Sequence, residues 1–181
     1  MLVRIAQLSD LEAITAIYNQ AILAGHRTAD TQPFKAEERL DWFNAHNPEH
    51  YPLLVAIDEN DEADENNAII GYLTISPYRE GRKAFLRTAE ISYYIHFEHH
   101  RKGVASCLME DALKRCPELN IKTLIAMLLA TNKGSIGFLK KHGFSEWGRM
   151  PKIAEFGIVA GNVTTTANTT VDHLFYGKRL S

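Results

Sequence analysis

Several features that assign a protein to a function class at first sight are scarce or absent in this sequence. Among its 181 residues, 20 are lysine or arginine and 22 are aspartate or glutamate, so the net charge is only −2. A near-neutral chain has no bulk attraction for nucleic acid or for an anionic membrane. No apolar run is long enough to span a bilayer, and the N-terminus lacks the long apolar core of a signal peptide. We therefore expect a cytoplasmic protein whose partners include neither nucleic acid nor a membrane.

Cysteine is also scarce, and the sequence lacks the familiar hydrolase motifs. Cys107 and Cys116 are nine positions apart on one predicted helix, which is about 13 Å and too far for a disulfide within that helix. The eight histidines form no HExxH pattern, so we predict no metal site. A Gly-x-Ser-x-Gly elbow and a Walker A loop are absent as well. Reduced thiols agree with a cytosolic protein, and a metal hydrolase is disfavoured.

The length predicts one domain, residues 1–181, in which strands and helices alternate. A first helix is expected to be capped by Ser9, with Glu12 completing a capping box, and to end near Gly25. A second helix is predicted over 36–46, a third after residue 103 and a fourth from Asn132 to about His142. Strands are predicted at 3–7, 51–57, 68–76 with a bulge near Gly71, 91–96, 123–129, 145–150 and 170–179. The acidic segment 58–67 and the Thr-rich segment 151–168 read as extended hairpin turns.

The most informative stretch runs from Ala89 to Glu110, where a predicted strand leads through a basic turn into a predicted helix. Backbone N–H groups at a helix start have no intrahelical partner, and the helix dipole favours an anion there. Gly103 allows a ligand to approach the backbone closely, and Arg101 and Lys102 add positive charge. The turn therefore indicates a phosphate or pyrophosphate site, although a plain solvated basic turn fits the same local pattern.

This turn resembles a signature of the GNAT superfamily of N-acetyltransferases. The family motif, Gln/Arg-x-x-Gly-x-Gly/Ala, wraps the pyrophosphate of acetyl-CoA, and here it reads His100 to Ala105. His100 stands where the family has Gln or Arg, which should weaken the site without removing it, because binding is mainly through backbone N–H groups. The run from Asn132 to Phe144 resembles the second family signature, N-x-x-S-I followed by six residues and G-F. In the family, that Asn contacts the pantetheine side of the cofactor.

The resemblance implies a fold, a cofactor and a set of cofactor-binding residues. The fold class is α/β (α+β), the GNAT fold, with a mixed and mostly antiparallel central sheet, helices on both faces and a V-shaped cleft between two central strands. The backbone N–H groups of Tyr93, Tyr94 and Ile95 become candidate donors to the thioester oxygen of acetyl-CoA. The residues implied to bind the cofactor are Tyr93, Tyr94, Ile95, Arg101, Lys102, Gly103, Val104, Ala105, Ser106, Asn132, Ser135 and Lys141.

The resemblance also implies catalytic roles. Glu90 occupies the position of a family glutamate and becomes the candidate general base, acting directly or through a water; a structural or loop-orienting glutamate is the alternative. Many relatives place a tyrosine on the fourth helix as general acid, but Phe138 and Leu139 stand in that region. Ser135 and Tyr94 are the candidate replacements, and a thiolate can also leave without a proton donor. Transfer is expected to be direct, without a covalent enzyme intermediate.

Two loops are candidates for binding the acceptor amine. The loop before the second helix contains Thr28 and Phe34, and it precedes the run ERLDWF at 38–43, which resembles the phosphinothricin acetyltransferase branch of the family. The loop 77–87 is rich in cations, which could bind a carboxylate or could simply be solvated. The candidate residues of that loop are Arg79, Arg82, Phe85 and Arg87.

The resulting hypothesis is an acetyl-CoA-dependent N-acetyltransferase for a small amino acid or analogue of the phosphinothricin, methionine sulfone or methionine sulfoximine type. The acceptor is expected to carry a carboxylate, and the resemblance implies a homodimer. One alternative is the acetylation of a protein N-terminus or lysine, a polyamine or an aminoglycoside. Another is a non-catalytic acyl-CoA-binding module, which His100 and the missing tyrosine would favour.

Overall fold

A seven-stranded sheet organises the chain. The computed structural model describes residues 1–59, 69–157 and 169–180. The strands follow the spatial order β1-β2-β3-β4-β5-β7-β6, and within the described ranges only the contact between β4 and β5 is parallel. The strands are β1 (Leu2–Ile5), β2 (Leu53–Ile57), β3 (Ile69–Pro77), β4 (Thr88–Ile95), β5 (Thr123–Leu129), β6 (Ser145–Phe156) and β7 (Thr169–Arg179). The helices are α1 (Leu11–Leu23), α2 (Leu40–Asn44), α3 (Val104–Arg115) and α4 (Lys133–Lys141).

The sheet carries helices on both faces because its strands bury side chains in both directions. Successive side chains of a strand point to opposite faces, so Tyr72 and Leu73 of β3 enter different clusters. On one face Leu73 packs with Leu108 of α3 and Leu139 of α4, and we call this the α3/α4 face. On the other face Tyr72 packs with α1 and with Trp42 and Phe43 of α2, and we call this the α1/α2 face. The predicted mixed sheet with helices on both faces is confirmed.

Most predicted strands and helices appear at the expected positions. The predicted strand at 123–129 coincides with β5, and the first helix ends two residues before Gly25, whose φ is 66°. The predicted bulge near Gly71 is also present, because Ala56 pairs with Gly71 and Ile57 pairs with Ile69. A Cβ at position 71 would lie 2.7 Å from Cδ1 of Ile95, so glycine allows β3 and β4 to approach each other there.

The start of the first helix was predicted wrongly. Ser9 does not cap it; a 3-10 turn from Leu8 to Asp10 precedes α1, with Gln7 at its N-cap. The carboxylate of Asp10 accepts from the backbone N–H of Gln7 at 2.7 Å and from the guanidinium of Arg4 at 2.6 and 2.9 Å. This partly buried ion pair fixes the turn, and a hydroxyl at position 9 is not needed.

Two other boundaries differ from the prediction. The second helix is shorter than 36–46 and consists of a 3-10 turn from Glu37 to Arg39 followed by α2. The sixth strand continues beyond residue 150, because after an irregularity at 151–153 the pair β6–β7 resumes between Ala154 and Val171. The predicted turns at 58–67 and 151–168 lie largely outside the described residues. Within the described part of the chain, no helix has the length and apolar character to cross a membrane.

Candidate active site

A cleft opens where the two parallel strands separate. The β4–β5 ladder contains three pairs, from Thr88 opposite Thr123 to Glu90 opposite Ile125. Beyond Glu90, β4 stays paired with β3 as far as Ile95, while β5 stays paired with β7 as far as Leu129. The strands therefore diverge toward their carboxyl ends, and this arrangement agrees with the V-shaped cleft expected from the sequence.

The backbone of β4 presents unpaired polar groups to this cleft. The Thr88 carbonyl accepts from the Tyr78 N–H at 3.4 Å, and the His96 N–H donates to the Ile70 carbonyl at 2.9 Å. The backbone N–H and C=O groups of the even-numbered residues of β4 therefore point toward β3. Because alternate residues of a strand direct their backbone groups to opposite sides, Ile91, Tyr93 and Ile95 face the cleft. The Ile95 carbonyl accepts a hydrogen bond from Nε2 of His100 at 3.0 Å. The N–H and C=O groups of Tyr93 remain directed into the cleft.

One backbone prediction is corrected by this geometry. The resemblance to the family implied that the N–H groups of Tyr93, Tyr94 and Ile95 donate to the thioester oxygen. The alternation places the backbone of Tyr94 toward Tyr72 of β3 rather than toward the cleft. Tyr94 therefore contributes only its side chain to the site.

The turn between β4 and α3, residues 99–105, forms what we call the phosphate loop. Gly103 is the N-cap of α3 with φ of 87°, and Arg101 also has a positive φ, 62°. Within the described chain, the N–H groups of Lys102, Gly103, Val104 and Ala105 have no hydrogen-bond acceptor. Free N–H groups at a helix start can bind an anion, which is the chemistry predicted for this turn from the sequence.

A cavity of about 500 Å³ connects the cleft with the phosphate loop. Its walls combine residues from β4, the phosphate loop, β5, α4 and the end of α1. Of the predicted cofactor-binding residues, those lining it are Tyr93, Tyr94, Ile95, Arg101, Gly103, Val104, Ala105, Ser106, Asn132, Ser135 and Lys141. Lys102 is not among the lining residues, and its side chain is exposed. The cavity thus brings together two distant sequence signatures.

The start of α4 forms the wall opposite the phosphate loop. Oδ1 of Asn132 accepts from the Ser135 N–H at 3.1 Å, which confirms the predicted helix cap. Phe138 lies one turn further on, and its ring packs 4.9 Å from the ring of Tyr93. Burial raises the pKa of the Tyr93 hydroxyl and that of Tyr94, so both phenols stay protonated near neutral pH.

Glu90 lies at the closed end of the cleft, outside the lining of the main cavity. Its side chain is half-buried on the α1/α2 face, opposite Ser76 of β3. Within the described residues, the carboxylate has no hydrogen-bond or ion-pair partner. Burial without a compensating donor raises the pKa of Glu90 toward the range that suits a general base.

A polar pair beside Glu90 was missed by the sequence analysis. Nδ1 of His46 lies 2.9 Å from the Trp42 carbonyl, so we assign its proton to that nitrogen. Nε2 is then left to accept from the Ser76 hydroxyl at 3.3 Å. Burial lowers the pKa of His46, which favours this neutral form. No local pattern marked His46, because the contact joins positions 30 residues apart.

The predicted acceptor residues of the first loop, Thr28 and Phe34, stabilise the loop between α1 and α2. The hydroxyls of Tyr18 and Thr28 are 2.8 Å apart, and that of Tyr18 also donates to Asp30. The side chain of Asn19 makes two bonds with the backbone of Phe34, at 2.8 and 2.9 Å. Neither Thr28 nor Phe34 lines the cavity.

The predicted acceptor residues of the second loop are exposed and do not line the cavity either; they are Arg79, Arg82, Phe85 and Arg87. This loop joins Pro77 to Thr88, at the end where β4 and β5 are still paired. The cleft opens at the opposite end of β4. The cation that sequence reasoning missed is Arg27, which does line the cavity.

The described residues contain no group of three or more His, Cys, Asp or Glu side chains arranged to hold a metal ion. The polar groups that line the cavity are free backbone amides, hydroxyls, an amide side chain, cations and the imidazoles of His99 and His100. Such a set can bind a phosphorylated ligand and can stabilise an oxyanion.

Comparisons with known proteins agree with this geometry. The acetyltransferase (GNAT) family model matches residues 12–144. A Bacillus subtilis (strain 168) protein with the provisional name phosphinothricin acetyltransferase is 42% identical over 155 residues, covering 86% of this chain and 90% of that protein. An L-methionine sulfoximine/L-methionine sulfone acetyltransferase of Pseudomonas paraeruginosa is 30% identical over 155 residues, covering 84% of this chain and 85% of its own. A GNAT phosphinothricin acetyltransferase from Sinorhizobium meliloti, solved with acetyl-CoA, superposes with a TM-score of 0.82 at 28% identity, covering 99% and 88% of the two chains.

Proposed function

The chain belongs to the GNAT acetyltransferase family, and on that premise we propose that it acetylates the amine of a small amino acid or amino-acid analogue. The proposed acceptors are of the phosphinothricin, methionine sulfone or methionine sulfoximine type. The cofactor of this N-acetyltransferase is acetyl-CoA, which supplies the acetyl group as a thioester. The proposal depends on one observation above all: β4 separates from β5 beside a helix start whose amides are free.

The cavity residues suit the parts of the cofactor in different ways. The free N–H groups from Gly103 to Ala105 would bind the pyrophosphate, with Arg101 adding charge. The open edge of β4 would pair with the amides of pantetheine, much as an added strand pairs with a sheet edge. In this arrangement the Tyr93 N–H, which faces the cleft, is the donor we assign to the thioester oxygen.

Glu90 is the proposed general base. An acceptor ammonium must lose a proton before its nitrogen can attack, and a carboxylate with a raised pKa accepts that proton more readily. Glu90 is half-buried and has no partner in the described chain, so no ion pair lowers its pKa. Ser76, held by His46, stands opposite Glu90 and offers a second polar group to the amine or to a bridging water.

The departing thiolate has two candidate proton donors, as the sequence indicated. Tyr94 lines the cavity, and its phenol stays protonated because burial raises its pKa. Ser135 lies on the opposite wall, at the first turn of α4. We favour Tyr94, because its side chain is on the α1/α2 face together with Glu90.

The choice of acceptor class rests on the names of the relatives and on the charge of the cavity. Both sequence relatives described above are named for amino-acid analogues. The described residues that line the cavity include Arg27, Arg101 and Lys141 but neither aspartate nor glutamate. A polycationic acceptor such as a polyamine or an aminoglycoside would therefore find no carboxylate to pair with its ammonium groups among the described residues that line the cavity.

A panel assay tests the proposal directly. Release of free thiol from acetyl-CoA is followed with methionine sulfone, methionine sulfoximine, phosphinothricin, spermidine, an aminoglycoside and a short peptide with a free N-terminus. We expect the highest kcat/KM for one of the three amino-acid analogues. Turnover confined to spermidine, the aminoglycoside or the peptide would contradict the proposed substrate class. Binding of acetyl-CoA without turnover on any amine would instead favour a non-catalytic module.

A further inference from the structure

A side-chain hydrogen bond joins the two helices that form cavity walls on the α3/α4 face. Oγ of Ser106, in the first turn of α3, lies 3.3 Å from Nε2 of His142, the C-cap residue of α4. Ser106 lines the cavity next to the phosphate loop, whereas His142 does not line it. His142 therefore stands behind a residue that faces the ligand, and it can influence that ligand through the serine hydroxyl.

The hydroxyl is the donor that Ser106 has available for a ligand. Its backbone N–H already donates to the Gly103 carbonyl at 2.9 Å, unlike the free N–H groups of the phosphate loop that precede it. A hydroxyl carries one proton and two lone pairs. If that proton goes to Nε2 of His142, lone pairs alone remain for the ligand. A phosphate oxygen accepts hydrogen bonds, so this hydroxyl can bind it when Nε2 of His142 is itself the donor.

Contacts of its ring and of its backbone hold His142 in place. The ring packs against the ring of Phe138, with 4.5 Å between the centroids. The backbone N–H donates to the carbonyls of Phe138 and Leu139 at 3.2 and 3.1 Å, and the carbonyl accepts from Nζ of Lys178 of β7 at 2.6 Å. The position of Nε2 beside Ser106 is thus set by α4 and β7. A change of protonation can reverse the hydrogen bond without moving the ring.

The surroundings of His142 keep its imidazole neutral in the free protein near neutral pH. Burial lowers the pKa of His142 most, Lys141 of the same helix and Lys178 of β7 lower it further, and Glu110 of α3 raises it. A neutral imidazole has one N–H and one acceptor nitrogen, whereas an imidazolium donates from both nitrogens. An anion bound beside Ser106 would oppose the effect of burial and of the two lysines, and would favour the protonated ring.

We propose that His142 positions the Ser106 hydroxyl toward a pyrophosphate oxygen of acetyl-CoA and takes up a proton from solvent when the cofactor binds, an inference that rests on the proposed site of the pyrophosphate. With Nε2 protonated, His142 donates to Oγ of Ser106, and the serine proton is directed to the phosphate. His142 is a positioning residue, because it acts through Ser106. Its contribution to affinity is fully present below the pKa that it has in the free protein, and it is lost as the pH rises through the higher pKa in the complex.

Calorimetric titration with acetyl-CoA from about pH 5.5 to about pH 8 measures this linkage. The wild type is compared with His142→Gln, whose amide keeps a donor for Ser106 but does not titrate, and with Ser106→Ala, which removes the hydroxyl. His50→Gln, at an exposed histidine outside the cavity lining, is the matched control. A phosphate monoester such as the 3′-phosphate of the cofactor titrates at about pH 6 in its own right. The difference between wild type and variant is therefore the quantity compared, and 3′-dephospho-acetyl-CoA is titrated as a second ligand.

We expect the wild type to gain roughly 3- to 10-fold in affinity over His142→Gln as the pH falls across this range, since a pKa shift of one unit corresponds to a factor of ten. At the upper end of the range the two should bind within about twofold of each other. Ser106→Ala should weaken binding roughly 3- to 10-fold throughout, as expected for one lost hydrogen bond, and should show no such gain. His50→Gln should follow the wild type. NMR titration of the histidine side chains should give His142 a higher pKa in the complex than in the free protein.

Three results would overturn the role of His142. The wild type and His142→Gln could show the same pH dependence, or the pKa of His142 measured by NMR could be unchanged by the cofactor. The gain of the wild type could also disappear with 3′-dephospho-acetyl-CoA, which would assign the linked anion to the 3′-phosphate. In each case the wild type still binds acetyl-CoA and releases thiol with its acceptor, so the proposed function stands. If the wild type does not bind acetyl-CoA at all, the proposed function fails and the role of His142 fails with it.

Discussion

The two ends of the site are built in different ways. The phosphate loop is one short segment, and its chemistry comes from backbone N–H groups at the start of α3. The acceptor side that we propose is assembled from side chains far apart in the sequence, namely His46, Ser76 and Glu90. A site made of local backbone leaves a motif in the sequence, whereas a site made of distant side chains leaves none. Substitutions can test whether these two ends are also separable in function.

The largest effect should come from Glu90→Gln, which removes the proposed base and keeps the shape of the side chain. We expect kcat to fall by roughly 100- to 10,000-fold, while Kd for acetyl-CoA is unchanged. Because burial raises the pKa of Glu90, the wild-type rate should rise with pH as the carboxylate ionises, and the variant should lose this acidic limb. Steady-state kinetics across pH and calorimetric titration measure the two quantities. An unchanged rate and pH profile would remove Glu90 from the mechanism.

Whereas Glu90→Gln should change kcat and leave cofactor binding intact, Gly103→Ala alters only the phosphate loop and should weaken the binding of acetyl-CoA. Gly103 has φ of 87°, a conformation that costs an L-residue roughly 1–2 kcal/mol. The added methyl group meets no protein atom within 4 Å, so it causes no packing clash within the protein. The effect on binding should therefore come from backbone strain and from contact between the methyl group and the cofactor. We expect Kd for acetyl-CoA, measured by calorimetry, to rise roughly 10-fold.

Gly137→Ala is the matched control for that substitution. Gly137 lies inside α4 with open space around it and does not line the cavity. Alanine there should stabilise the helix by about 0.5–1 kcal/mol and leave Kd unchanged. If both alanine variants weakened binding equally, the special role of the phosphate loop would be lost.

The smallest effect should come from His46→Gln, which tests whether the acceptor side includes the pair beside Glu90. Loss of the bonds to Trp42 and Ser76 should lower the free energy of unfolding by about 1 kcal/mol at pH 7.5. Burial lowers the pKa of His46, so the unfolded chain binds a proton more readily than the folded one. The wild type should therefore lose stability as the pH falls through about 6.5. The difference in free energy of unfolding between the wild type and His46→Gln should narrow over the same range. Urea unfolding at several pH values measures this; a constant gap would argue against a neutral His46.

Sequence reasoning was most successful where a function depends on neighbours in the chain. The free amides from Lys102 to Ala105 follow from a strand, a glycine turn and a helix in succession, and the Asn132 cap follows from a three-residue spacing. The carboxylate site suggested by the composition of the cation-rich loop stays a prediction, because the loop does not line the described cavity. That loop emerges at the paired end of β4 and β5, a position that composition does not encode. Sequence reasoning missed Arg27, which had no pattern to distinguish it from other surface arginines.

By itself the sequence determined the family, the fold class, the phosphate loop and the strand that carries Glu90, because these depend on periodicity, glycine placement and motifs of a few residues. Tertiary structure decided where β4 and β5 separate, which backbone groups of β4 face the cleft and which cations line the cavity. These features arise from strand register and from contacts between residues as distant as His26 and Thr131. A contact across more than a hundred positions is set by packing of the whole chain, and no local pattern can carry it.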